Sequence, residues 1–211
     1  MNKLSLLALS CFLSSIFNIA VAQKTINNAI IEYDVKMFDP SDSTFKMSSH
    51  QKYYYAKDML RTDSWYDDGE TKTYYNGKTN LITLIEAGGG EDLYYSYSPA
   101  DWRKKSLSRI LKFIPAKEEK TIKGFKCKSA KVNFADGEYE IVFYTVDIVP
   151  QTEQNPTTKQ DIPGFVMSRE IFNKQKELIQ KVAVKSFQEV APSANTFVPD
   201  TKGRTKQDLL K

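Results

Sequence analysis

Histidine is the scarcest chemically versatile residue of this 211-residue chain, and His50 stands alone. A Ser-His-Asp or Cys-His hydrolase would have to be built on it. No Gly-x-Ser-x-Gly nucleophile turn occurs anywhere, and His50 sits near the start of a strand-like run. Zinc chemistry is as short of ligands, because only His50, Cys127 and scattered carboxylates could serve and none stands at ligand spacing. The two cysteines are Cys11, inside an apolar leader, and Cys127. The body of the chain therefore carries one thiol and no internal disulfide, so its stability must come from a packed core. There is no internal repeat, no uninterrupted apolar run of the ~20 residues that span a bilayer, and no strong charge bias. These shortages argue against an enzyme, a metal or other cofactor, and a nucleic-acid partner, which would want a far more basic chain.

What is present begins with an address. Met1 to Ala22 has Lys3 as its charged start, a mostly apolar stretch from Leu4 to Ile19 and Ala20-Val21-Ala22 before Gln23. That is the form of a secretory signal peptide cleaved after Ala22, which predicts a periplasmic or extracellular protein with no transmembrane span after cleavage. Ala8-Leu9-Ser10 ahead of Cys11 is a poor match to a lipoprotein acylation box. Cleavage removes Lys3 and no acid, leaving 29 basic against 26 acidic side chains. A mature chain of about 190 residues is long enough to bury a single core. The expected organisation is one domain over residues 23–199 and a polar tail over 200–211, frayed or forming a short last helix.

Most of the chain alternates. Ile31, Tyr33, Val35 and Met37 share one face of a strand over Asn28 to Phe38, with Glu32, Asp34 and Lys36 on the other. Strands are predicted over Phe45–Tyr55, Met59–Tyr66, Thr71–Tyr75, Leu81–Ile85 and Leu93–Tyr97, separated by turn residues that include Asn76-Gly77. Asp67-Asp68-Gly69-Glu70 and Asp39-Pro-Ser-Asp42 match no calcium loop and read as tight turns. β-Signals are strongest from Thr121 to Phe172. Thr121 to Phe134 is followed by a hairpin turn at Asp136-Gly137 and by Glu138 to Val146. In that last strand Tyr139, Ile141 and Phe143 oppose an equally apolar Val142, Tyr144 and Val146, so both its faces should be covered. A loop then precedes Asp161 to Phe172, and Leu178 to Val190 is a further strand with Val182 and Val184 inward. The pattern breaks once. Ser98-Pro-Ala-Asp101 is a helix start, and Leu107, Ile110, Leu111 and Ile114 recur at helical spacing before Pro115. The expected architecture is mainly β (α+β), a curved antiparallel sheet of about ten strands with one covering helix inserted mid-chain.

Gly124-Phe-Lys-Cys127, the pair of strands around Gly137 and Tyr139, Phe143 to Ile148 and Ile162-Pro-Gly-Phe-Val166 resemble the GLPGLI and DUF4412 families of exported envelope proteins. Tyr55 to Arg61, Tyr75-Asn-Gly-Lys78 and Phe197-Val-Pro199 are similar to the DUF4412 and LolA-like lipoprotein-carrier superfamily. The resemblance implies an open half-barrel with helices on its concave side, and in the lipoprotein carriers of this fold that cavity holds acyl chains. On that reading the candidate ligand-contacting residues are Tyr53 and Tyr55, Phe143 and Phe165 on the sheet, and Trp102, Leu107, Ile110 and Leu111 on the covering helix. The driving force would be burial of methylenes, about 0.8 kcal/mol each. The partner would be a lipid or acylated ligand.

A second reading keeps the address and drops the ligand. A protein-interaction or scaffolding module would meet another envelope protein through an open sheet edge or a tyrosine-rich face, its concavity filled by its own side chains. Ordinary strand composition accounts for the tyrosines equally well. An empty apolar pocket would favour the carrier, a closed apolar core the interaction module, and a polar cleft around His50 an enzyme.

Overall fold

The computed structural model describes residues 24–42, 44–88, 91–101, 110–150 and 162–208. The leader expected over residues 1–22 lies outside them. Fourteen strands are present among the described residues. β1 (Lys24–Ile26) and β11 (Ile148–Pro150) form a small parallel ribbon. The other twelve make one sheet in the order β14-β7-β6-β5-β4-β3-β2-β13-β12-β10-β9-β8. They are β2 (Ala29–Phe38), β3 (Phe45–Ala56), β4 (Met59–Tyr66), β5 (Gly69–Asn76), β6 (Leu81–Gly88), β7 (Glu91–Tyr97), β8 (Ile110–Ile122), β9 (Phe125–Phe134), β10 (Tyr139–Thr145), β12 (Phe165–Phe172), β13 (Leu178–Gln188) and β14 (Thr205–Lys206). Every neighbouring pair is antiparallel except β14 beside β7.

The sequence alternation becomes the two faces of this sheet. Ala29, Ile31, Tyr33 and Val35 of β2 are buried, and Val182 and Val184 of β13 pair with Val35 and Tyr33. This inner face is concave, as its aromatic contacts show. Tyr55 on β3 and Phe165 on β12 lie three strand spacings apart, about 14 Å on a flat sheet, yet their ring centroids are 6.3 Å apart. Phe125 on β9 and Phe187 on β13 are separated by as many strands and meet at 5.6 Å. Ile26 of β1 and Ile148 of β11 pack into the same cluster, so the ribbon closes part of the concavity. A second cluster lies on the opposite face, where Val142 and Tyr144 of β10 join Ala130, Val132 and Phe134 of β9 and Val166 of β12 under Phe113 and Ile162. The strand expected to be covered on both faces is covered on both faces.

Three expectations are corrected. The helix start is formed, with the Ser98 hydroxyl accepting from the Asp101 N–H at 3.1 Å and donating to its carboxylate at 2.7 Å. The helix does not run to Ile114, because Ile110 opens β8 and pairs with Phe134. Ile110, Phe113 and Ile114 are β-formers, and an unpaired β9 edge offers them a ladder of hydrogen bonds that an isolated helix face does not. Pro115, expected as a helix stop, sits at a register shift on the last strand of the sheet, where its missing N–H breaks no ladder. Thr121 and Ile122 belong to that same strand. Lys123 (φ 51°) and Gly124 (φ 85°) form a two-residue turn with positive φ at both centres, which splits the run from Thr121 to Phe134 into two strands. Finally, of the two forms expected for the tail, a frayed end or a short helix, residues 200–208 show no helix. After a 3-10 turn at Ala194–Phe197, the chain crosses the outer face, where Arg61 Nη1 donates to the Thr196 carbonyl at 3.0 Å, and β14 caps the edge of β7.

Gly164, in the Ile162-Pro-Gly-Phe stretch, has a purely steric reason to be glycine. A Cβ there would stand 2.1 Å from the Thr145 carbonyl oxygen of β10. Gly164→Ala is therefore expected to lower unfolding stability by about 2–3 kcal/mol through forced separation of β10 and β12, read as a fall in the urea midpoint at unchanged m-value. A variant as stable as the parent would refute this close approach.

Candidate functional site

Four of the eight residues expected to contact a ligand come together on the inner face. Tyr55, Phe143 and Phe165 are buried in one cluster with Ile31, Tyr33, Met167, Val182 and Val184, and Tyr53 packs against it. Tyr53 meets Tyr33 edge-on at 5.0 Å and stacks near Tyr55 at 6.3 Å. Ile110 and Leu111 are in β8 rather than on a covering helix, and Trp102 and Leu107 lie outside the described residues. The cluster is closed. Phe165 is 0% exposed, Tyr55 2% and Phe143 4%, so no ligand can touch these rings unless something now packed on them moves. At about 1.5–3 kcal/mol per buried aromatic or aliphatic side chain, that packing belongs to the stability of the fold.

Polar groups are embedded in this core. Arg169 on β12 lies 3.6 Å from the buried carboxylate of Glu140 on β10. Burial opposes the arginine's charge, and Glu140 with the phenols of Tyr53, Tyr33 and Tyr55 outweighs it, so its pKa is raised further. The Tyr33 hydroxyl donates to the Val166 carbonyl at 3.4 Å. The Tyr55 hydroxyl finds no hydrogen-bond partner among the described residues, and burial pushes its pKa well above the usual phenol value. Cys127 is buried in the same cluster, with burial raising its thiol.

An open cleft lies on the outer face. It is about 480 Å³ in volume and is lined by Glu32 and Asp34 of β2, Ser48, Ser49, His50 and Lys52 of β3, Trp65 of β4 and Lys185 of β13, with Tyr33 completing it. Strand register explains the grouping. Asp34, His50 and Trp65 are direct cross-strand neighbours, and Glu32, Lys52 and Asp63 form the adjacent row. His50 stacks on Trp65 with centroids 4.4 Å apart and planes at 20°. Lys52 pairs with Glu32 at 3.1 Å, the Ser186 hydroxyl donates to the same carboxylate at 3.2 Å, and Lys185 lies 3.6 Å from Asp34. The Ser49 hydroxyl is engaged by the Trp65 carbonyl. The Lys52 ammonium, bonded directly to it, is the main influence lowering the pKa of Glu32.

This cleft is polar and contains the only histidine, the arrangement named above as favouring catalysis. His50 is held by ring stacking, without a hydrogen bond to serine or carboxylate among the described residues, and Asp34 is turned to Lys185. A general base needs a hydrogen bond to its nucleophile and usually a second to an orienting acid. Among the described residues no three His, Cys, Asp or Glu side chains converge as metal ligands. Sequence reasoning passed over this cleft because its members are spread from residue 32 to 185. The one available signal was the outward parity of Glu32 and Asp34 on β2.

Beside it, on the same face, Arg61 is a structural hub. Its guanidinium grips the buried Asp63 carboxylate through Nε at 2.6 Å and Nη2 at 2.7 Å and lies 5.2 Å from the rings of both Tyr54 and Tyr74. It ties β4 to the C-terminal crossing.

Comparison with protein-family models gives no match, and comparison with curated protein sequences gives none either. The resemblance to the GLPGLI and DUF4412 families therefore rests on the short motifs alone. Solved structures do match in fold. An uncharacterised conserved protein from Thermus thermophilus aligns over 95% of this chain and 99% of its own, at 4% identity and a TM-score of 0.53. PNGF-II aligns over 87% of this chain at 16% identity and a TM-score of 0.53, and the chain spans only 31% of that protein. A LolA superfamily protein from Nitrosomonas europaea aligns over 84% of this chain and 91% of its own at 8% identity, with a TM-score of 0.39 that carries no argument about ligand. The first two likenesses extend to fold alone.

Two outcomes are expected from the core tyrosines. Tyr55→Phe removes a buried hydroxyl that has no partner, so it should stabilise the protein by about 1–2 kcal/mol, seen as a raised urea midpoint; destabilisation would mean that the hydroxyl is satisfied. Burial also raises the phenols of Tyr55 and Tyr97 in the folded state. Their unfolded-state pKa is about 10, so stability is intact below that value and falls as pH rises above it, where only the unfolded chain releases the protons. Ultraviolet titration should show these tyrosines ionising together with loss of near-UV circular dichroism, whereas ionisation in the intact fold would contradict their burial.

Proposed function

We propose that this chain is an exported, non-catalytic binding module of the cell envelope that meets its partner on its surface rather than enclosing an acyl chain. The observation that carries this reading is the closed inner face, where Tyr55, Phe143 and Phe165 retain at most 4% exposure and the β1–β11 ribbon packs over the same cluster. A lipid carrier of this architecture needs an apolar hollow, and here the aromatic side chains themselves occupy the concavity. Export is supported by the leader-like sequence from Met1 to Ala22. The absence of catalysis is supported by the stacked, unbonded His50. The GLPGLI and DUF4412 resemblance agrees with an envelope setting. The lipid or acylated ligand that it implied would require the inner-face cluster to open.

Titration of the mature protein with a fluorescent long-chain fatty acid, alongside native mass spectrometry of protein purified from its own envelope, tests the choice. The expected outcome is no saturable fluorescence change and a bare protein mass. Stoichiometric uptake, or a co-purifying acyl ligand lost on changing Tyr53 to Asp in a folded variant, would overturn the surface-binding reading and restore the carrier.

A further inference from the structure

We infer that the outer-face cleft is a carbohydrate site, taking a neutral hexose unit of a glycan against the His50–Trp65 stack; the inference rests on the surface-binding reading and names what that surface recognises. Size, charge balance, hydrogen-bonding pattern and an aromatic wall together select this chemistry.

Its volume, about 480 Å³, falls in the range of roughly 300–1,000 Å³ typical of small-molecule sites. Its charges are balanced and already engaged, Glu32 with Lys52 and Asp34 with Lys185. A cationic ligand would compete with the two lysines and an anionic one with the two carboxylates, so a neutral ligand is the one that disturbs neither pair. The lining nevertheless alternates acceptors and donors at short spacing, with carboxylates, ammonium groups and the Ser48 hydroxyl within one cleft. A hydroxyl group both donates and accepts, so a ring bearing several of them matches this alternation better than an aliphatic or singly charged ligand would.

The aromatic wall supplies the second half of the recognition. His50 is exposed and backed by Trp65 at 4.4 Å, which gives a flat aromatic surface for the C–H face of a pyranose while the hydroxyl edge turns to Glu32, Asp34, Lys52 and Lys185. The site also shows a local departure from regular sheet geometry. Between Val184 and Ser186 the register of β13 against β2 slips, and Lys185 at the slip lies beside Asp34. Bulges redirect single side chains and are frequent beside functional sites.

The test is a glycan array carrying neutral and anionic oligosaccharides, probed with the labelled mature protein. Isothermal titration of the strongest neutral binder then compares the parent with His50→Ala, Trp65→Ala, Lys185→Met and, as a control on the same strand, Phe45→Ser. Binding of a neutral oligosaccharide that weakens by roughly tenfold or more in the His50 and Trp65 variants, by less in Lys185→Met and not in Phe45→Ser, is the expected result. His50 is exposed, so His50→Ala keeps the test valid should Trp65→Ala fold poorly. No neutral glycan bound, binding only to anionic glycans, or a neutral binder indifferent to His50 and Trp65 would overturn the assignment. The fatty-acid titration separates the two readings, since lipid uptake defeats surface binding itself, whereas a blank array with no lipid uptake defeats only the sugar.

Discussion

The fold depends on one long-range pairing, the insertion of β13 between β2 and β12. Within the main sheet, most neighbouring strands are also neighbours in sequence, so hairpins made from local turns can build each half separately. The pairing of Val182 with Val35 and Val184 with Tyr33 joins the meander of β2 to β7 to the strands that follow β8. Once the halves are joined, the twist of a wide antiparallel sheet bends it, and the large side chains of the inner face are brought across the seam. Tyr55 reaches Phe165, Phe165 reaches Phe187, and Phe187 reaches Phe125. The core is thus a consequence of closure, and it holds the closure in place.

That geometry constrains function more than any single side chain does. An open curved sheet could leave its concavity empty, in which case the exposed aromatics would be a binding surface. Here the concavity is narrow enough for rings from strands three spacings apart to touch, so the same aromatics become core. Tyr53, Tyr55, Phe143 and Phe165, expected as ligand contacts on the sheet, lie in or against one hydrophobic cluster. Whether such a surface is a pocket or a core depends on curvature, and curvature is set by long-range contacts that no local pattern encodes.

What was legible follows the range of the interaction. The strands from Ala29 to Tyr97 could be read with ends off by up to about three residues, because alternation and turn chemistry act over a few positions; Asn76 illustrates this, its side-chain oxygen accepting from the Lys78 N–H at 3.0 Å in the turn expected there. The two-sided burial of β10 was legible for the same reason. The segment from Ile110 to Ile122 was not, because its apolar spacing fits a helix and a strand alike, and the free edge of β9 decides between them. The Lys123-Gly124 turn was overlooked since Lys rarely adopts positive φ. The outer-face cleft was legible only in the outward parity of Glu32 and Asp34: β2, β3, β4 and β13 contribute to it, and only the strand order makes Asp34, His50 and Trp65 neighbours.

The seam explains why the cleft is where it is. β13 must match β2 along its whole length while also following β12, and both of its pairings contain a register irregularity, between Val184 and Ser186 on one side and opposite Ile171 and Phe172 on the other. A strand shared between two independently formed halves has to absorb whatever mismatch in twist they bring, and a bulge is the cheapest place to put it. The first of these irregularities carries Lys185 to the side of Asp34, next to the row formed by His50 and Trp65. The same accommodation that lets the inner face close therefore shapes the outer face into a recess. In this fold the buried aromatic cluster and the surface recess are two results of one constraint.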